Sequence, residues 1–236
     1  MTRMLRQSVS LRLLLGWLGL AALALTGCDP PPAAVPAVFG PNDQYRSAAE
    51  KIAERPEIDR VSYDEQGAPI AVFFRRNVVT NDDLAALAAL PTLRWLDLVD
   101  TGITDPGLAH LAKLTRLDTL YLNNIRIGDD GLAQLAPLGE LKMLHLGKTE
   151  VTSAGMETVA QFSKLNELHL ERTKVDDGGL ERLHPLPALQ ELYLTGSAVT
   201  PEGVAKLKAA MPKLVVFYLP PEEDPIERAS RSNEPE

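Results

Sequence analysis

At 236 residues, with 45% hydrophobic side chains, the chain is long enough to bury a substantial core. Its formal net charge of −8 at pH 7 speaks against a nucleic-acid partner, which calls for a basic surface. With one cysteine, Cys28, no disulfide can form within the chain, so packing alone must hold it together.

Residues 1–27 carry Arg3, Arg6 and Arg12, then an uncharged apolar run from Leu13 to Leu25. About 7 to 15 apolar residues suit the core of an export signal, whereas a membrane-spanning helix needs about 20. The segment closes with Leu-Thr-Gly-Cys, small residues directly before Cys28, and in this it resembles a bacterial lipoprotein signal. That resemblance implies cleavage before Cys28, lipidation of its thiol, and an exported protein anchored to a membrane at the periplasmic face or cell surface. Three arginines and no acid leave with the signal, taking the formal charge from −8 to −11. Residues 28–42, Cys-Asp-Pro-Pro-Pro onward, are proline-rich without periodicity and read as a semi-rigid tether.

Residues 43–68 read as a cap. "DQYRSAAEKIAERP" has the spacing of an amphipathic helix, and "RVSYDEQGAPIAVFF" that of two extended segments turning at "EQGAP". Residues 69–219 form a repeat array, because Leu-x-x-Leu-x-Leu begins at Leu93, Leu117, Leu141, Leu165 and Leu189, an interval of 24 residues. A sixth copy, "LVVFYL", starts one residue late at Leu214, and a degenerate first copy, "PIAVFF", puts Val72 and Phe74 in the leucine positions. The alternation of Leu144 and Leu146 with Met143, His145 and Gly147 is that of a short strand with one buried face. Met156, Val159 and Phe162 recur at the spacing of an apolar helical stripe.

The template, continued by x-x-Thr-x-Ile/Val-Thr/Asp-x-x-Gly-Leu-x-x-Leu, resembles the leucine-rich repeat family. The resemblance implies an α/β solenoid of right-handed turns, with a curved parallel sheet on the concave side and short helices on the convex side. Stacked strands about 4.8 Å apart and helices about 10 Å apart give the same curvature. Asp129, Asp130, Asp176 and Asp177 fall where helices begin, and the expectation is that they cap free amide groups there. Thr101, Thr149, Thr173 and Ser197 occupy the column that turns the chain after each strand; Ile125 interrupts it, so the second repeat is expected to turn differently. Residues 220–236 are charged and proline-bearing and read as a disordered acidic tail.

The strand positions between the leucines point into the concavity, where a leucine-rich repeat protein usually meets its partner. The middle column runs Phe73, Asp97, Tyr121, His145, His169, Tyr193, Tyr218. Beside it lie Trp95, Met143, Glu167, Glu191 and Val216 on one flank and Asn123 and Glu171 on the other. Tyr and Trp offer large contact areas at small entropic cost, so this face is the expected site for an unknown protein or peptide. His145 and His169, with Glu167 and Glu171 nearby, admit a third reading as a metal site; the repeat explains their spacing without one, and no metal or cofactor is expected. No nucleophile elbow, phosphate-cradling glycine loop or metalloprotease helix is present, so no catalysis is expected. A structural component of the cell envelope is the alternative to a binding protein.

Overall fold

The computed structural model describes residues 43–75 and 78–220. The export signal, Cys28, the tether up to residue 42 and the tail beyond residue 220 lie outside the described residues. Among the described residues no helix is long and apolar enough to cross a membrane.

The described residues open with helix α1 (Asp43–Ala53) and the antiparallel hairpin β1 (Ile58–Tyr63) and β2 (Pro69–Phe74), as the patterning predicts. The turn between the strands is closed by Asp64, whose carboxylate accepts the N–H groups of Gln66 and Ala68 at 3.0 and 2.8 Å. From β2 onward every pairing is parallel: β3 (Trp95–Asp97), β4 (Thr119–Tyr121), β5 (Met143–His145), β6 (Glu167–His169), β7 (Glu191–Tyr193) and β8 (Val215–Phe217) join it in sequence order. Register is constant, with Leu96, Leu120, Leu144, Leu168 and Leu192 side by side.

Between successive strands the chain crosses the opposite side in short helices: α2 (Asn81–Leu84), α3 (Asp105–Leu108), α4 (Asp129–Ala133), α5 (Met156–Val159), α6 (Asp177–Glu181) and the longer α7 (Pro201–Ala210). Several are extended by a turn of tighter 3-10 helix, as at Ala85–Ala89 and Ala109–Lys113. The space between sheet and helices is filled by one continuous apolar cluster that includes Leu96, Leu98, Leu144, Leu146, Met156, Val159 and Phe162, all fully buried. Burying one such leucine contributes about 1.5 to 3 kcal/mol, and no single repeat can enclose its own set. This is an α/β leucine-rich repeat solenoid.

The hydroxyls of Thr101, Thr149, Thr173 and Ser197 donate to the carbonyl three residues back, at 2.6 to 2.8 Å, as the turn column requires. The second repeat nevertheless turns like its neighbours, which corrects the expectation drawn from Ile125. Asp100, Asn124, Lys148 and Arg172 all adopt left-handed backbone near φ 55–57°, and Gly196 follows at 73°. The bend resides at this position, and the hydroxyl only braces it.

The acids at the helix starts divide into two roles. Asp176 caps α6, accepting the N–H of Gly179 at 3.2 Å, and the same oxygen also accepts the Ser153 hydroxyl of the preceding repeat at 2.6 Å. Asp129 and Asp177 reach instead into the following repeat: Asp129 accepts the N–H and hydroxyl of Thr152 at 2.9 and 2.5 Å, and Asp177 those of Thr200 at 2.8 and 2.6 Å. Asp105 does the same for the N–H of Gly128 at 2.8 Å. Asp130 lies in the first turn of α4. The expectation of caps therefore holds for Asp176 and is corrected for Asp129 and Asp177, which clasp one repeat to the next.

These clasps explain a glycine column. A Cβ at Gly131, Gly155 or Gly203 would collide with the carboxylate of Asp105, Asp129 or Asp177 respectively, and one at Gly179 with Ser153 and Val175. The glycine is the space through which the clasp passes.

The last strand corrects the register expected from "LVVFYL". The chain from Thr200 to Leu214 is one residue longer than that from Asp176 to Leu189, and β8 begins directly at Val215. Val216 pairs with Leu192 and Phe217 with Tyr193. Val216, expected on the open face, packs against the core, while Phe217, expected inside, is 43% exposed.

Candidate functional site

The face of the sheet turned away from the helices carries the side chains that alternate with the leucines. Parallel strands in constant register bring equivalent side chains next to one another at strand spacing, so a column of flat groups becomes a stack. Seven rings follow one another: Phe73, Trp95, Tyr121, His145, His169, Tyr193 and Phe217, with centroid separations of 6.5, 5.3, 4.3, 3.7, 3.9 and 4.3 Å. Asp97 occupies the middle column in β3, its carboxylate accepting the N–H of Val99 at 3.0 Å. Trp95, from the flanking column, leans across to fill the place a ring would otherwise have there. Arg60 of β1 lies 4.4 Å over the ring of Phe73 and ends the stack at that side.

Most of the expected face residues are therefore together: Phe73, Trp95, Asp97, Asn123, Met143, Glu167, His169, Glu171, Glu191 and Tyr193 are all half-buried on it. Two expectations need correction. Tyr121 and His145 are only 6% and 8% exposed, because the rings on either side cover their faces. They stand outside the leucine core, on the opposite side of the sheet from Leu144, yet offer little surface to a partner. Tyr218 leaves the face altogether: the shifted last strand turns it toward the core, and its hydroxyl donates to the carbonyl of Val199 at 3.0 Å. Phe217 takes its place, a residue that leucine spacing alone missed and that the unbroken 24-residue strand interval, counted from Tyr193, would have found.

The chemistry of the face changes along its length. Toward β3 it is apolar, with the Tyr121 hydroxyl 3.4 Å from the Met143 sulfur and the Trp95 indole N–H shielded without a partner. Toward β7 it is acidic. His169 is gripped on both ring nitrogens, Nδ1 by Glu171 at 2.9 Å and Nε2 by Glu167 at 2.8 Å. Tyr193 donates to Glu191 at 2.8 Å.

Ionisation follows from these contacts. Burial pulls the His169 pKa down, but the hydrogen bonds to Glu167 and Glu171, with the charge of both, outweigh it and leave the pKa raised. A carboxylate at each nitrogen favours the doubly protonated ring relative to a free imidazole. His145 has no such support: burial, with the charge of His169 beside it, lowers its pKa to about 2, and it remains neutral. Burial, then the bond to Glu191 and the surrounding acids, push the Tyr193 phenol upward. Among the described residues one group of side chains converges closely enough to hold a metal ion: His145, Glu167 and His169.

A family model described as a leucine-rich repeat matches residues 89–112, which is the segment from the end of one helix through β3 to the next. The chain carries a leucine-rich repeat. No curated protein matches it in sequence. Solved structures similar to this repeat array include a leucine-rich repeat protein of Leptospira interrogans, 18% identical, TM-score 0.49, the match covering 64% of this chain and 38% of that one. They also include an internalin of Listeria monocytogenes, 20% identical, TM-score 0.46, covering 66% and 51%. A third is the Arabidopsis receptor kinase HAESA, solved with a peptide hormone and a co-receptor, 18% identical, TM-score 0.47, covering 75% and 30%. The chain thus spans about half or less of the length of each of these.

Proposed function

We propose that this chain is an exported, lipid-anchored, non-catalytic scaffold that holds a protein or peptide against its open sheet face. The observation that carries this reading is the ring column, which crosses seven adjacent strands and presents the edges of Phe73, Trp95, His169, Tyr193 and Phe217 on either side of the buried Tyr121 and His145. Aromatic edges of this kind give contact area without a large loss of side-chain freedom, since the stack has already fixed the rings. Glu167, Glu171 and Glu191 flank one end, so the partner is one with basic groups beside an apolar segment. The net charge of −8 supports a partner other than nucleic acid. Residues 1–27, read as the signal, support anchoring through Cys28, with residues 28–42 as the tether.

Affinity capture from the native envelope tests this directly. Trp95→Ala, Tyr193→Ala and Phe217→Ala are each expected to weaken capture at least tenfold while thermal unfolding moves by only a few degrees. Retained capture in all three variants removes the open face as the binding site. Cys28→Ser is expected to release the protein from membranes; unchanged membrane fractionation overturns the anchor.

A second reading has one observation in its favour. At the β8 edge Val215, Phe217 and Leu219 are 50%, 43% and 41% exposed, an apolar margin suited to packing against another envelope component. Val215→Lys with Leu219→Lys distinguishes it: loss of assembly with intact capture by the ring column supports a structural role.

A further inference from the structure

The cluster at the centre of the ring column has an unfilled requirement. The Nε2 atom of His145 is sealed from solvent and has no hydrogen-bond partner. Its nearest ionic neighbour, Glu167 Oε1, stands 3.9 Å away, beyond hydrogen-bond reach. A buried polar atom left unsatisfied is costly, and a native protein normally supplies a partner for it. The same Glu167 oxygen lies 2.8 Å from His169 Nε2, so one carboxylate oxygen faces two imidazole nitrogens. One ligand atom from each of the three residues falls within 4.8 Å of the others, a spread that closes onto a single ion.

The support around these groups is of the kind a metal site needs. His169 Nδ1 is held by Glu171 at 2.9 Å, the outer carboxylate–histidine contact that fixes which nitrogen turns to a metal. Tyr121 and Tyr193 stack on the outer faces of His145 and His169 and keep both in the column. We propose that His145, Glu167 and His169 form a binding site for a zinc-class divalent cation on the open face of the sheet. Two imidazoles and one carboxylate suit zinc, whereas calcium and magnesium call for an all-oxygen shell. The fourth position, toward the open face, is left to water or to a group on a partner. On binding, zinc replaces the proton that His169 Nε2 shares with Glu167, and that proton passes to solvent. Imidazole lone pairs lie in the ring plane, so the two rings, now 3.7 Å apart and 13° from parallel, splay apart to meet the ion.

The site goes beyond the partner-binding reading and is tested without any partner. The full chain, carrying Cys28→Ser so that no thiol competes, is stripped with chelator and titrated with zinc chloride by calorimetry, and with cobalt(II) by visible absorption. One zinc per chain is expected, with an intense tetrahedral cobalt spectrum and a change in the near-ultraviolet circular dichroism of the neighbouring tyrosines. His145→Phe keeps a flat ring in the stack and removes the ligand atom; it and Glu167→Gln are each expected to lower zinc affinity at least tenfold. His110→Ala and His184→Ala, on the helix side, are expected to leave it unchanged. Absence of stoichiometric zinc, unchanged affinity in folded His145→Phe, or a comparable loss in His184→Ala overturns the site.

Discussion

Between Phe73 and His145 neighbouring rings of the column meet at 31° to 39°, whereas from His145 to Phe217 they lie within 9° to 13° of parallel. The backbone beneath both stretches is the same 24-residue repeat in the same register. What differs is the company each ring keeps. In the parallel stretch carboxylates grip ring atoms at the edge, Glu167 and Glu171 on His169 and Glu191 on Tyr193, and so set the ring planes. In the tilted stretch a tryptophan arrives from the neighbouring column, and its indole N–H has no partner to set its plane. A regular scaffold fixes where side chains start; hydrogen bonds at their tips decide how they lie.

The largest expected effect comes from destroying what the two stretches share. Leu144→Asp replaces a fully buried leucine beneath the middle of the column with an unpaired charge, and is expected to abolish cooperative unfolding, read by far-ultraviolet circular dichroism. Next comes the clasp. Asp129→Ala leaves the N–H and hydroxyl of Thr152 without their acceptor and is expected to cost about 1 to 3 kcal/mol in urea unfolding, with the strand side unchanged.

A smaller effect separates the two histidines at the junction of the stretches. In metal-free protein, His145 refuses a proton that the unfolded chain accepts below about pH 6.5, so its share of stability declines as the pH falls through that value. His169 behaves oppositely: its raised pKa adds stability that is complete below about pH 6.5 and is lost as the pH climbs through the folded value. Glu167 and Glu171 face His169, and Glu167 and His169 face His145, so these are the charges involved. His145→Phe is therefore expected to flatten the acid limb of a stability–pH profile, and His169→Phe the alkaline limb. Smallest is Glu191→Gln, which is expected to lower the Tyr193 phenol pKa toward its ordinary value, read by ultraviolet titration, without altering the fold.

The leucine spacing made the sheet, its strand order and the inward face legible, because each of those follows from a two-residue alternation repeated at one interval. It misplaced the final strand, since Leu214 imitates the start of a repeat while the pairing with β7 determines the register. The columns of the open face could be written down from the sequence, but not the burial of Tyr121 and His145, which arises between strands when neighbouring rings close over them. Nor could the reach of Asp129 and Asp177 be read, because a carboxylate at a helix start can cap its own turn or bond the next repeat with equal chemical sense. The glycine at a fixed distance after each acid was the available clue: it marks where something from outside the repeat must pass.

The clasp joins only adjacent units, and its backbone bond is rebuilt at Asp105, Asp129 and Asp177, while Asn81 and Ser153 hold that place at two other joints. Such a molecule is expected to be lengthened or trimmed like a zip fastener, one whole unit at a time, wherever the two ends brought together carry matching halves of the clasp.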